Sequence, residues 1–106
     1  DIELAKRDLL NEFYTRKGER LMSPQFGSIV WDLLFDPLTD ETIDAIRADC
    51  LRIVTKDPRL DLLNIDIVDN EHTIIVSIML RYVPTATETE LVAVFNRNLT
   101  AEREIG

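Results

Sequence analysis

Thr73-Ile74-Ile75-Val76-Ser77-Ile78-Met79-Leu80-Arg81-Tyr82-Val83 is the stretch that decides the fold. It is rich in β-branched and aromatic residues and carries neither glycine nor proline, which predicts the strongest strand in the chain over 73–83. Asp69-Asn70-Glu71-His72 before it reads as a turn, and Pro84 ends it. Upstream, 60–68 is a second strand, in which Leu63, Ile65 and Ile67 alternate with Asn64, Asp66 and Val68. Downstream, 84–90 is a polar loop, Leu91-Val92-Ala93-Val94-Phe95-Asn96 a third strand, and 97–106 a polar tail. Three consecutive strands with short connections make an antiparallel meander.

The residues before the sheet have helical spacing. Ile2, Ala5, Leu9 and Phe13 share a face over 2–14, with Leu10 beside them, and Glu3, Lys6, Arg7 and Glu12 pointing away. Residues 15–27 form a loop punctuated by Gly18, Pro24 and Gly27. Leu21, Met22 and Phe26 are costly in water, so this loop is expected to pack down on its own apolar anchors. Ser28 is placed to cap a short helix over 29–35, in which Trp31 and Phe35 are expected in the core, and Pro37 closes it. A helix over 40–56 follows, capped by Thr39 or Asp40, with Asp40, Glu41 and Asp44 near its N-terminus and Lys56 at its C-terminus. Its buried stripe is Ile43, Ile46, Cys50, Ile53 and Val54, and Pro58 ends the segment. Helices followed by strands give an α+β fold, with N-terminal helices packed on a three-stranded antiparallel meander in one domain over 1–106.

The sheet itself suggests a use. The middle strand is apolar on both faces: Ile74, Val76, Ile78, Leu80 and Tyr82 on one, Ile75, Met79 and Val83 on the other. Helices can cover the first. For the second, two readings stay open: part of it is a protein interface, or the N-terminal helix and the 15–27 loop close over it. A three-stranded sheet also has two edges that can accept a strand from another chain. Between Leu91 and Asn96 the third strand has no proline and no charge, and so lacks the usual protection.

Composition excludes more than it suggests. Twelve basic and 20 acidic residues leave a net charge of −8, which repels phosphate backbones, and the densest basic cluster is only Arg16, Lys17 and Arg20. No nucleic-acid role is expected. No apolar run approaches the about 20 residues of a membrane span, so no membrane partner is expected either. The N-terminus does not resemble a signal peptide, and the missing initiator methionine admits a trimmed start. One cysteine, Cys50, excludes a disulfide framework and reads as a small core residue in a reducing compartment. One histidine, His72, falls in a turn and supports no metal centre. There is no nucleophile motif, phosphate loop or dinucleotide fingerprint, so no catalytic residue and no cofactor are expected. Paired carboxylates could in principle hydrolyse a glycoside, with Glu19 and Asp36 as candidates, but among 20 acidic residues close pairs arise by chance.

Gly18-Glu19-Arg20-Leu21-Met22-Ser23-Pro24-Gln25-Phe26-Gly27, then Leu33-Leu34-Phe35-Asp36-Pro37, then Asp57-Pro58-Arg59 after the long helix, resemble the gene-25-like family of contractile-tail baseplate wedge proteins. That family also has members in type VI secretion baseplates. The order of helices and strands matches, so the resemblance spans nearly the whole chain. Asp57 and Asp36 stand where the family has Glu, which keeps the charge and shortens the arm by one methylene. The resemblance implies a virion protein of the tail baseplate, assembled in the host bacterial cytoplasm. It implies two partners, the wedge scaffold protein and the tail sheath protein. The scaffold contact would involve Asp57, Pro58, Arg59, Glu19 and Arg20. Alternatively, Asp57 and Arg59 fix the helix-to-strand turn internally, and Glu19 and Arg20 lock the loop. The sheath would be started by strand addition along Leu91, Val92, Ala93, Val94 and Phe95. Some family members carry the label lysozyme, which keeps a peptidoglycan-cleaving glycosidase as the alternative.

Overall fold

Apolar residues at helical spacing, followed by apolar residues at strand spacing, give two layers. The computed structural model describes residues 1–96, and the polar tail expected over 97–106 lies outside them. Helices α1 (Ile2–Phe13), α2 (Val30–Leu33) and α3 (Asp40–Thr55) precede strands β1 (Leu60–Asp69), β2 (Thr73–Tyr82) and β3 (Thr87–Asn96), with a 3-10 turn at Val83–Thr85. The sheet is an antiparallel meander in the order β1-β2-β3. It confirms the α+β fold read from the sequence.

Capping follows side-chain chemistry. The Asp1 carboxylate accepts the Leu4 N–H at the start of α1, and the Thr39 hydroxyl accepts the Thr42 N–H at the start of α3. Ser28 does not cap α2. Its hydroxyl donates instead to the Phe13 carbonyl (2.8 Å), where the Trp31 indole N–H also donates (3.2 Å). A carbonyl stranded at the end of α1 needs donors more than a four-residue helix needs a cap.

The core lies between the helices and one sheet face. Ala5, Leu9 and Phe13 from α1 and Ile46, Cys50, Ile53 and Val54 from α3 meet Ile74, Val76, Ile78 and Leu80 of β2 and Leu91, Ala93 and Phe95 of β3. Each of the large side chains removed from water contributes roughly 1.5–3 kcal/mol. Phe95 carries the β3 side, with Trp31 against its ring edge-on at 5.0 Å and Tyr14 tilted at 5.5 Å.

Four expectations are corrected. Leu63 is not part of the buried row of β1. The register shifts between Leu62 and Asn64, so Leu63 is the extra residue of a bulge and points outward. Leu60 and Leu62 join Ile65 and Ile67 against the core. Phe35 is 67% exposed rather than buried, because α2 ends at Leu33. β3 begins at Thr87 rather than Leu91, since Glu88 and Thr87 pair with Arg81 and Tyr82 across the ladder. Val83, expected in the middle strand, belongs to the 3-10 turn.

Candidate assembly surfaces

The strand edges come first, because their geometry follows from the register. In an antiparallel ladder the N–H and C=O of one residue point to the same side, and the direction alternates along the strand. The Val94 N–H donates to the Tyr14 hydroxyl (2.9 Å) and so points away from β2. With no register shift between β2 and β3, Val92, Glu90 and Glu88 also turn outward. Among the described residues, nothing meets these three backbone positions. The other edge is defended. The bulge at Leu63 interrupts β1, α3 packs beside it, and the Arg47 guanidinium donates to the outward carbonyl of Ile65 (2.9 Å). Of the predicted edge residues, Leu91, Ala93 and Phe95 bury their side chains, while Val92 and Val94 are exposed.

The second face of the sheet has no covering layer among the described residues. Ile75 and Met79 are half-buried there, and Val68, Val92 and Val94 are exposed. The N-terminal helix and the 15–27 loop do not close over it, because α1 and α3 pack against the opposite face.

The loop is held, but not by Leu21 and Met22. Leu21 and Met22 are each 95% exposed, contrary to the expectation that they anchor it, and only Phe26 is half-buried. The anchor is ionic. Asp49, buried on α3, accepts the Ile29 N–H (2.9 Å) and pairs with Arg52 (2.8 Å). Arg52 donates to the carbonyls of Gln25 (3.0 Å) and Gly27 (2.6 Å). Glu12, expected to face outward from α1, is buried instead; it accepts the Gly27 N–H (3.3 Å) and pairs with Lys56. The loop closes on itself where the Ser28 N–H donates to the Thr15 carbonyl (2.8 Å) and the Lys17 N–H to the Ser28 carbonyl (3.1 Å). Gly27 allows this approach: its φ is +111°, and a Cβ there would sit 2.6 Å from the Thr15 carbonyl oxygen. The sequence did carry a signal for this clamp. Asp49, Arg52 and Lys56 recur at i, i+3 and i+7, beside the apolar stripe.

The Asp57-Pro58-Arg59 turn joins α3 to β1. Arg59 makes a forked contact with Asp57, Nε to Oδ1 at 2.9 Å and Nη2 to Oδ2 at 2.6 Å, and reaches Asp8 on α1 at 3.2 Å. The Asp57 Oδ1 also accepts the Arg59 N–H (2.9 Å), and the Arg59 carbonyl accepts the Val83 N–H (2.8 Å). The Arg59 hydrogen bond is the main reason the Asp57 carboxyl is held below its ordinary range, and the two carboxylates push Arg59 upward. Arg59 remains 34% exposed, and its Nη1 has no partner among the described residues. Arg20 covers the Phe26 ring at 4.1 Å, while Lys56, the residue before Asp57, lies 5.9 Å from the same ring. Phe26 thus brings the Arg20 loop beside the helix end that leads into the turn. Glu19 is exposed; its N–H donates to the Arg16 carbonyl (3.0 Å), while its carboxylate makes no hydrogen bond or ion pair among the described residues.

A glycosidase needs one carboxylic acid in an environment that raises its pKa and a second carboxylate close by. Glu19 and Asp36 are both exposed. The buried carboxylates, Glu12 and Asp49, are taken up by the loop clamp.

The described residues thus present an outward strand edge, an uncovered sheet face and a surface arginine held in a fixed turn on a small α+β fold. A family profile described as baseplate wedge protein gp25 matches residues 3–88, and the chain belongs to that family of phage baseplate structural proteins. The baseplate wedge protein gp25 of Enterobacteria phage T4 is 31% identical over 88 residues, 80% of this chain and 67% of that protein. A solved structure of a protein provisionally named a tail lysozyme, from Geobacter sulfurreducens, has a TM-score of 0.78 at 25% identity. The match covers 90% of this chain and 89% of that one.

Proposed function

We propose that this chain is a wedge subunit that links the baseplate to the contractile sheath. It binds the wedge scaffold protein around Asp57, Pro58 and Arg59, with Glu19 and Arg20 on the neighbouring loop. It starts the first sheath ring by accepting a sheath strand on β3, within Leu91–Phe95 and the residues just before it. Assembly takes place in the host bacterial cytoplasm. One observation carries this reading: in a baseplate-family chain, β3 presents outward backbone groups at Glu88, Glu90 and Val92, while β1 is bulged and capped. The peptidoglycan hydrolase reading has the name of the Geobacter neighbour in its favour, but not the exposure of Glu19 and Asp36.

Complementation of a phage lacking this gene tests both contacts in one experiment. Val92→Pro removes an outward N–H and no internal bond, since it is the Val94 N–H that Tyr14 uses. The expected result is complete baseplates whose sheaths fail to start, seen by electron microscopy. Arg59→Ala is expected to reduce baseplate assembly while the purified chain stays folded by circular dichroism. Normal sheathed tails with Val92→Pro would remove β3 as the sheath template. A chain unfolded by Arg59→Ala would leave that residue only a turn-fixing role.

A further inference from the structure

The β3 edge has a boundary and a charge pattern that specify what strand it takes. At Val94 the edge is occupied, because the Tyr14 hydroxyl accepts its N–H at 2.9 Å. The accessible part therefore runs from Glu88 to Val92. On the uncovered sheet face this part displays Glu88, Glu90 and Val92, since Thr89 and Leu91 turn toward the helices. Charges alternate across the same face. Asp61 on β1 pairs with Arg81 on β2 (3.5 Å), and Arg81 stands opposite Glu88 on β3. Glu90 stands opposite Met79 and has no cation across the ladder. The next strand out would continue the alternation with positive charge. Side chains directly opposite on one face lie close enough that unlike charges stabilise and like charges oppose pairing.

We infer that the incoming strand carries two basic residues two positions apart, seated opposite Glu88 and Glu90, with a β-branched residue opposite Val92, and that Tyr14 stops it short of Val94. This rests on the strand-addition reading and adds its register limit and its chemistry. The chain's net charge of −8 favours the approach of such a strand.

The test uses the full chain and a nine-residue peptide, Thr-Val-Thr-Lys-Thr-Lys-Thr-Val-Thr, whose symmetry suits either strand direction. A second peptide has Glu in place of Lys. Binding is followed by amide chemical shifts and hydrogen exchange in NMR. The Lys peptide is expected to bind about tenfold more tightly than the Glu peptide and to protect the amides of Glu88, Glu90 and Val92. Glu88→Lys with Glu90→Lys is expected to invert the preference. Tyr14→Phe keeps the ring against Phe95 and is expected to extend protection to Val94. Equal binding of both peptides at this edge would overturn the charge assignment and leave strand addition standing. A gain in Val94 protection when the peptide is added to the unaltered chain, beyond what the Tyr14 hydroxyl already gives, would overturn the register limit. Binding of the Lys peptide elsewhere, or of neither peptide at β3, would overturn the inference together with strand addition at this edge.

Discussion

Two groups of ions stand on either side of the end of α3, and they are spent differently. Asp49, Arg52 and Lys56, with Glu12 from α1, point into the loop and hold mostly backbone atoms: the N–H groups of Gly27 and Ile29 and the carbonyls of Gln25 and Gly27. Asp57 and Arg59, with Asp8, hold mainly one another, near the surface. The first group fixes where the loop goes. The second is satisfied enough to be rigid yet keeps a guanidinium face outward. The lesson is that a charge cluster is assigned by what its members bond and how much water they see, since charge and spacing are similar in both.

The largest expected effect breaks the first group. Asp49→Ala takes the nearer carboxylate from Arg52, leaving it Glu12 at 4.0 Å, and leaves the Ile29 N–H without its acceptor. Arg52 is part-exposed and keeps two loop carbonyls, so most of the cost is the lost charged hydrogen bond and the stranded Ile29 N–H, and stability should fall by about 2 kcal/mol in urea denaturation. Amide exchange over 25–29 should rise at the same time. A loss below about 0.5 kcal/mol would place this group with ordinary surface pairs.

A smaller effect probes the second group through pH. Asp57 has a folded pKa below its ordinary value, chiefly because of the Arg59 hydrogen bond. A depressed carboxylate contributes stability that is complete above the ordinary Asp pKa of about 3.9 and lost as acid protonates it in the folded state. Asp57→Asn should therefore cost less than Asp49→Ala at neutral pH and should flatten the fall in stability below about pH 4. An unchanged acid limb, measured by thermal unfolding from pH 7 downward, would show that the fork contributes nothing in solution.

The same contrast explains what could be read from the sequence. The middle strand and the α3 stripe were legible because burial repeats with the element's own period. Cys50 is completely buried, as expected from its place on that stripe. Burial first, and Asp49 second, push its thiol up to about 12. The loop was legible only in its boundaries. Its apolar residues suggested anchoring, yet the anchor is an ion on another helix, and no local pattern records which loop carbonyl a distant arginine reaches. Glu12 looked solvent-facing because its partner, the Gly27 N–H, lies fifteen residues away. Leu63 misled because a period-two reading assumes an unbroken pleat, and a bulge shifts every later side chain to the opposite face. The first half of β3 was missed because Thr87-Glu88-Thr89-Glu90 has no apolar residue, although its Thr/Glu alternation already has strand period.

The smallest expected effect on stability sharpens the comparison most. Leu21 and Met22 stand 95% exposed at the tip of a loop whose base is clamped from Gln25 to Ile29. If ions hold the base, the tip contributes nothing to the fold. Leu21→Ser with Met22→Ser should then change the unfolding free energy by no more than about 0.5 kcal/mol, as for surface substitutions with no packing partner. A larger loss would mean that the apolar tip anchors the loop after all, and that the ionic clamp is only part of what holds it. If stability is unchanged but baseplate assembly suffers, the tip joins Arg59 as a proposed contact, because two large apolar side chains held in water gain free energy only where a partner covers them.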